Sequence, residues 1–274
     1  MDSIVYVSAT DATSFGAFVN LNRTATSNFN DGAVQSTKTE DDMLRSGVAL
    51  KNVHFRRAVL EALDRGTYEA MRVGEELKYN AMINSYTPGT FVALEEDVTI
   101  DINGTATTFA AGTYYGAIMQ AQIDADGVAI KVWDPTADSG IGSSTQFDGW
   151  YNVEAAQAEL ATAIEELAAQ GIEISAENPI YLDLPYFSGS EQYSNRANAY
   201  KQSIESALGG LVIVNLTECV DSKQWYYAGY YPSTGAEGNY DVSGWGPDYG
   251  DPQTYLDTFL PDYAGYMVKM IGLF

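Results

Sequence analysis

The residues from 153 to 216 constrain the fold more than any others in the chain. Ala156, Leu160, Ala163/Ile164 and Leu167 recur at helical spacing behind Asn152, a good N-cap, and Gly171 closes the run. Pro179 to Phe187 then alternates Ile180, Leu182 and Leu184, the period of a strand. Glu191 to Gly209 reads as another helix, and Leu211 to Leu216 (Leu-Val-Ile-Val-Asn-Leu) is a nearly unbroken apolar strand of the kind covered on both faces. Helix, strand, helix, strand in that order requires helical crossovers over a sheet. The expected fold is α/β, a mixed sheet with flanking helices that includes Pro179 to Tyr186 and Leu211 to Leu216.

The rest of the chain supplies shorter elements. Asn52 to Asp64 carries Val53, Phe55, Val59, Leu60 and Leu63 on one broad stripe and reads as a helix. Gly66 and Thr67 read as its stop and a fresh N-cap, which makes Tyr68 to Leu77 the next helix. Six of the 14 basic residues (Lys51, Arg56, Arg57, Arg65, Arg72, Lys78) fall in this region and read as a solvated face in an acidic neighbourhood. Around 97–109, Val98, Ile100 and Ile102, then Ala106 and Thr108, flank Asn103-Gly104, the dipeptide of a type I′ turn, so a peripheral hairpin is expected. Tyr114 to Ile123 is expected as helix, Gly127 to Trp133 as extended chain and Pro135 to Gly149 as a loop. Asp221 to Gly229 reads as helix and Tyr240 to Gly244 as strand; Pro252 to Leu260 reads as helix with Asp251 at the N-cap and Pro252 at N1. No internal repeat is visible.

Charge narrows the function classes. The 274 residues hold 14 Lys+Arg against 37 Asp+Glu, a net −23 that repels phosphate backbones and anionic lipid, so no nucleic-acid or membrane-surface partner is expected. With 46% hydrophobic residues the chain buries a real core rather than remaining disordered. Its single cysteine, Cys219, excludes an internal disulfide and a Cys-based zinc site. Met-Asp-Ser-Ile-Val-Tyr-Val lacks the basic start and apolar run of a secretion signal, and no stretch approaches the length of a membrane span, so the chain as it stands reads as soluble. The acidic, Tyr-rich, Lys-poor composition suits a surface protein without its leader.

Catalytic constellations are scarce. His54 is the only histidine and has no second His or nearby Cys at ligand spacing, so it reads as structural or solvated. Phe187-Ser188-Gly189-Ser190 is not a nucleophile elbow, and no phosphate loop is present. Asp124-Ala125-Asp126-Gly127 lacks the remaining ligands of a calcium loop and reads as a plain turn. Glu95-Glu96 and Glu165-Glu166 are adjacent surface acids rather than a glycosidase pair. No catalytic residue, metal or cofactor is expected. What remains is Gly244-Trp245-Gly246-Pro247-Asp248-Tyr249-Gly250-Asp251-Pro252, between a strand and a helix start. A Gly/Pro turn at a strand's carboxyl end is where open α/β sheets place ligands. Trp245 offers a flat apolar wall and Asp248 a charge for a cation, with Gly246 and Tyr249 beside them. The residues alone leave open a structural turn around a buried Trp.

This stretch, continued by Thr254-Tyr255-Leu256, resembles the late signature of the oligopeptide-binding proteins of ABC importers, the OppA-like substrate-binding family. Asn52-Val53-His54-Phe55-Arg56-Arg57-Ala58-Val59 through Ala62-Leu63-Asp64-Arg65 is similar to that family's arginine-bearing helix. Asn20-Leu21-Asn22-Arg23 resembles the segment before it, and with Thr90-Phe91-Val92 it resembles the Firmicutes branch. The later helices and strands, including Asn198-Ala199-Tyr200-Lys201, come in the family's order.

The resemblance implies one lobe of a type II periplasmic-binding-protein-like fold, with residues 1–274 forming a single peptide-binding lobe of a larger two-lobe protein. It implies a non-enzyme that captures oligopeptides outside the cell for an ABC permease, in a parent held at the surface as a lipoprotein, with a separate N-terminal lobe as partner. It implies that Asp248 pairs with the peptide's α-amine and that Trp245, with Gly246 and Tyr249, lines the cleft. Dipeptide-selective relatives keep an arginine after the strand of Pro185; Tyr186 to Ser190 has none, which points to longer peptides held by backbone contacts. The competing readings are a secreted carbohydrate-active or other hydrolytic domain and a plain interaction domain.

Overall fold

The computed structural model describes residues 16–24, 32–80, 82–137, 141–245, 252–260 and 266–273. The first strand, β1 (Gly16–Val19), leads through an irregular stretch to α1 (Glu40–Lys51). Sequence reading did not anticipate α1, although Thr39 and Asp42 form a reciprocal capping box and three acids occupy its first turn. The internal Ser46 and Gly47 hide its periodicity. Asn52 ends α1 and caps α2 (Val53–Glu61), its side-chain oxygen accepting from the Phe55 N–H at 2.9 Å.

The next boundary differs from expectation. α3 (Arg65–Val73) begins two residues earlier than Thr67, because Asp64 is the cap: its carboxylate accepts from the Thr67 N–H at 2.9 Å and the Thr67 hydroxyl at 2.7 Å. Gly66 lies inside the first turn, where its N–H needs no helical partner and a glycine costs little. Gly74, at φ 84°, ends the helix, and 75–77 form a separate 3-10 turn. The basic residues here are not simply a solvated face. Arg65 is half-buried and grips Asp148 at 2.6 Å, while Arg72, Lys78 and Arg57 pair with Glu69, Glu75 and Glu159.

The hairpin β2 (Val98–Ile102) and β3 (Thr105–Phe109) turns at Asn103 and Gly104, both with positive φ, as the dipeptide requires. α4 (Tyr115–Ala125) follows. The segment after it is extended but joins no ladder. Val128, Ile130 and Val132 face a small core with Met119, Ile123 and Trp150, while the Gln120 side chain accepts from the Val132 N–H at 2.7 Å and Lys131 donates its N–H to the Gly149 carbonyl at 2.6 Å. Side-chain and loop partners thus satisfy the backbone that a neighbouring strand would otherwise satisfy.

The main core follows the expected run. α5 (Val153–Ala168), capped by Asn152, lies along α2 and buries Ala156, Leu160, Ala163 and Leu167. β4 (Ile180–Phe187) and β5 (Val212–Cys219) pair in parallel from Ile180↔Val212 to Phe187↔Cys219, joined by α6 (Glu191–Ala207). Phe55, Ala58 and Val59 from α2 close the same core with Tyr200, Ile204, Val212 and Val214. Each such aliphatic side chain contributes about 1.5–3 kcal/mol on full burial. α7 (Ser222–Gly229), capped by Asp221, leads to β6 (Val242–Trp245), which runs antiparallel to β1; α8 (Pro252–Asp257) and α9 (Tyr266–Met270) end the described chain.

The α/β class stands, with the strands among the described residues distributed over three two-stranded ladders. The β1–β6 pair meets β4 through one main-chain bond, Asp241 N–H to the Asp183 carbonyl at 3.0 Å. Two residues further on, on the same side of β4, Pro185 has no N–H to offer, and the pairing stops. The hairpin makes its ladder apart from β4 and β5, as expected of a peripheral element.

Candidate functional site

Trp245 is the last residue of β6 and pairs with Gly16 of β1. Gly246, Asp248 and Tyr249, with the cap candidate Asp251, lie outside the described residues. The structure does describe what holds both ends of that turn.

On the strand side stands a buried ionic cluster. Asp183, in the middle of apolar β4, accepts from Arg23 at 2.8 Å, Ser36 at 2.5 Å and Asn215 at 3.3 Å. Asp241, just before β6, takes Lys38 at 2.6 Å and lies 3.1 Å from Arg23. Its carboxylate also accepts the Asp183 N–H at 2.7 Å. All four charged side chains are at most 2% exposed, and two cations balance two anions. Burial opposes each charge, yet the opposite charges prevail: the Arg23 pKa is raised by Asp241 and Asp183, and that of Asp241 is lowered by Arg23 and Lys38. Asn20 adds neutral ties, donating to the Gly235 carbonyl at 2.7 Å and the Tyr240 carbonyl at 3.3 Å. The Asn-Leu-Asn-Arg segment singled out in the sequence therefore fixes the base of β6.

On the helix side the anchor is aromatic. Tyr255 of α8 is buried, with ring centroids 5.5 Å from Tyr86 and 5.9 Å from Phe91. Tyr86 in turn contacts Phe259 at 5.0 Å and Phe18 of β1 at 6.4 Å. Because β1 is the partner of β6, one cluster braces both flanks of the turn. Edge-to-face pairs of this kind contribute about 0.5–1.5 kcal/mol each beyond area burial.

Sequence reading missed Lys38, Asp183, Asp241 and Tyr86. The available signal was Asp183 itself, a carboxylate inside Ile-Tyr-Leu-Asp-Leu, which demands buried partners. Of the other residues weighed, His54 contacts Glu159 at 2.5 Å, and Ser190 caps α6. Phe187 at the end of β4 packs its ring against Tyr193, 5.8 Å away. Burial, then Asp221 and Glu218, push the Cys219 thiol up to about 12, so it is neutral at ordinary pH. Among the described residues no group of side chains is arranged to hold a metal, and no helix is long and apolar enough to cross a membrane.

Fold and surroundings together define an α/β unit in which a buried ionic cluster and an aromatic cluster hold the described chain on either side of residues 246–251. Its curated relatives are oligopeptide-binding proteins. The chain is 32% identical over 266 residues to the oligopeptide-binding protein SarA of Streptococcus gordonii, a match covering 95% of this chain and 34% of that protein. It is 37% identical over 121 residues to AmiA of Streptococcus pneumoniae, covering 43% of this chain and 18% of the relative. The chain thus spans about a third or less of the length of these relatives. Among solved structures, Listeria monocytogenes OppA bound to peptide aligns over 96% of this chain and 36% of its own, at 17% identity and a TM-score of 0.46. An oligopeptide ABC transporter substrate-binding domain from Bacillus anthracis aligns over 96% and 35%, at 14% identity and a TM-score of 0.47. No family model matches the chain.

Proposed function

We propose that this chain is the peptide-capturing lobe of an extracellular solute-binding protein that delivers oligopeptides to an ABC permease. The observation that carries the reading is the match along 95% of the chain to a protein named for oligopeptide binding. In this reading residues 1–274 form one lobe, a second lobe closes over the ligand by hinge motion, and the parent is anchored at the cell surface as a lipoprotein. The role is binding rather than catalysis. Asp248 pairs with the α-ammonium of the peptide, Trp245 forms a flat wall, and Gly246 and Tyr249 complete the turn. The braced ends of the turn support this assignment, since a charge clamp needs a fixed base.

A lobe without its partner leaves the ligand half in water, so the 274-residue chain should bind peptides weakly. Saturation-transfer NMR with a mixture of unmodified five- to eight-residue peptides tests this. Transfer to peptides and not to neutral oligosaccharides is expected. Transfer to oligosaccharides alone, or release of hydrolysis products, would replace the reading with a carbohydrate-active or hydrolytic one.

A further inference from the structure

Glu61 ends α2 with its side chain fully buried, and neither carboxyl oxygen has a hydrogen-bond partner among the described residues. An ionised carboxylate in that position has lost water and gained no donor, whereas the neutral acid loses far less. The groups around it do not rescue the charge. Across the seam α5 presents Glu159, which is itself held by His54 at 2.5 Å and lies 3.7 Å from Arg57 of α2. Glu166, further along α5, stands 3.7 Å from its other ring nitrogen. Arg57 also interacts electrostatically with Asp126, just after α4, and α1 contributes the apolar Ala49 and Leu50 while its Lys51 is exposed. Burial first, then repulsion by Glu159, outweigh Arg57 and lift the Glu61 carboxyl to about 7. The seam is tight at this point, because the Asn152 N–H, at the start of α5, donates to the Glu61 carbonyl at 2.9 Å.

We propose that Glu61 is a proton-operated latch on the α2–α5 seam, neutral when the two helices are packed and loosening them when its proton is lost. The sign follows from linkage. An acid whose folded pKa lies above its unfolded value contributes most below the unfolded value, and that contribution falls away as pH rises toward the folded one. The window runs from the ordinary glutamate value of 4.5 to about 7. Mildly acidic surroundings therefore tighten this part of the molecule, and neutral to alkaline ones relax it.

Guanidinium unfolding of the whole chain at pH 5 and pH 8, for the wild type and Glu61→Gln, tests the latch. The amide has the shape of the protonated acid and cannot ionise. It should therefore lower the unfolding constant relative to wild type at pH 8 by roughly seventyfold more than at pH 5. The other carboxylates titrate in both proteins and cancel. Amide exchange in α2 and α5, corrected for intrinsic rate, should accelerate more between pH 5 and pH 8 in the wild type than in the variant. An equal effect of the substitution at both pH values would overturn the proposal, as would a variant that fails to fold at pH 8.

Discussion

Asp183 shows how one residue organises its surroundings. A carboxylate placed in the middle of β4 is tolerated because Arg23, Ser36 and Asn215 converge on it, and Arg23 also draws in Asp241 and, through it, Lys38. Removing one member leaves a buried charge without its counterpart. Arg23→Met should destabilise the fold by about 3–5 kcal/mol, read from the denaturant midpoint, and loosen the base of β6. Asp241 also fixes the acid limit. Its folded pKa lies below the ordinary aspartate value of 3.8, so its contribution is present above that value and is lost as pH falls through the folded one. Acid unfolding should therefore begin below about pH 4. Asp241→Asn should flatten that limb while lowering stability at pH 7, a combination a pH series of thermal melts would show.

Among the elements, helix starts set by a single side chain are the natural test of boundaries. If Asp64 is the cap of α3, Asp64→Ala should lower stability by about 0.5–2 kcal/mol, whereas Thr67→Ala, at a position first read as the cap, should cost less. In the hairpin, Gly104 sits at φ 81°, and Gly104→Val should cost about 1–2 kcal/mol and broaden the β2–β3 amide signals. These elements also mark where the sequence was legible. The crossover run of α5, β4, α6 and β5 stood out because its apolar period is uninterrupted and Asn152 and Gly171 bound its first helix. α1 did not, since Ser46 and Gly47 break the pattern on a face that tertiary packing nevertheless buries. The three-ladder arrangement was not legible either. It depends on the Asp241 carboxylate taking the Asp183 N–H and on Pro185 ending the edge, contacts between residues almost sixty positions apart. Of the candidate site, the Trp-and-Asp turn was visible as composition, but the ionic and aromatic clusters that brace it are assembled only by the fold.

For the whole molecule, a net charge of −23 sets both behaviour and partner preference. Self-repulsion among exposed carboxylates should ease as ionic strength rises from about 0.01 M to 0.15 M, where the screening length falls from roughly 30 to 8 Å. The thermal midpoint should rise over that range. A negative surface also suits the capture of a ligand that presents a cationic end, which is what the amine-clamp assignment of Asp248 requires. The most direct test is a titration of the isotope-labelled full-length two-lobe parent, in which the cleft closes over the ligand, as wild type and Asp248→Asn, with one peptide in free and N-acetylated forms, following the Trp245 indole signal. A charge-assisted bond to the ammonium contributes about 1.5–3 kcal/mol, so the substitution should weaken the free peptide roughly ten- to hundredfold. The acetylated peptide should bind the wild type as weakly as it binds the variant, since both changes delete the same interaction. Equal losses for free and acetylated peptides on replacing Asp248 would contradict the account, leaving the turn as a structural one.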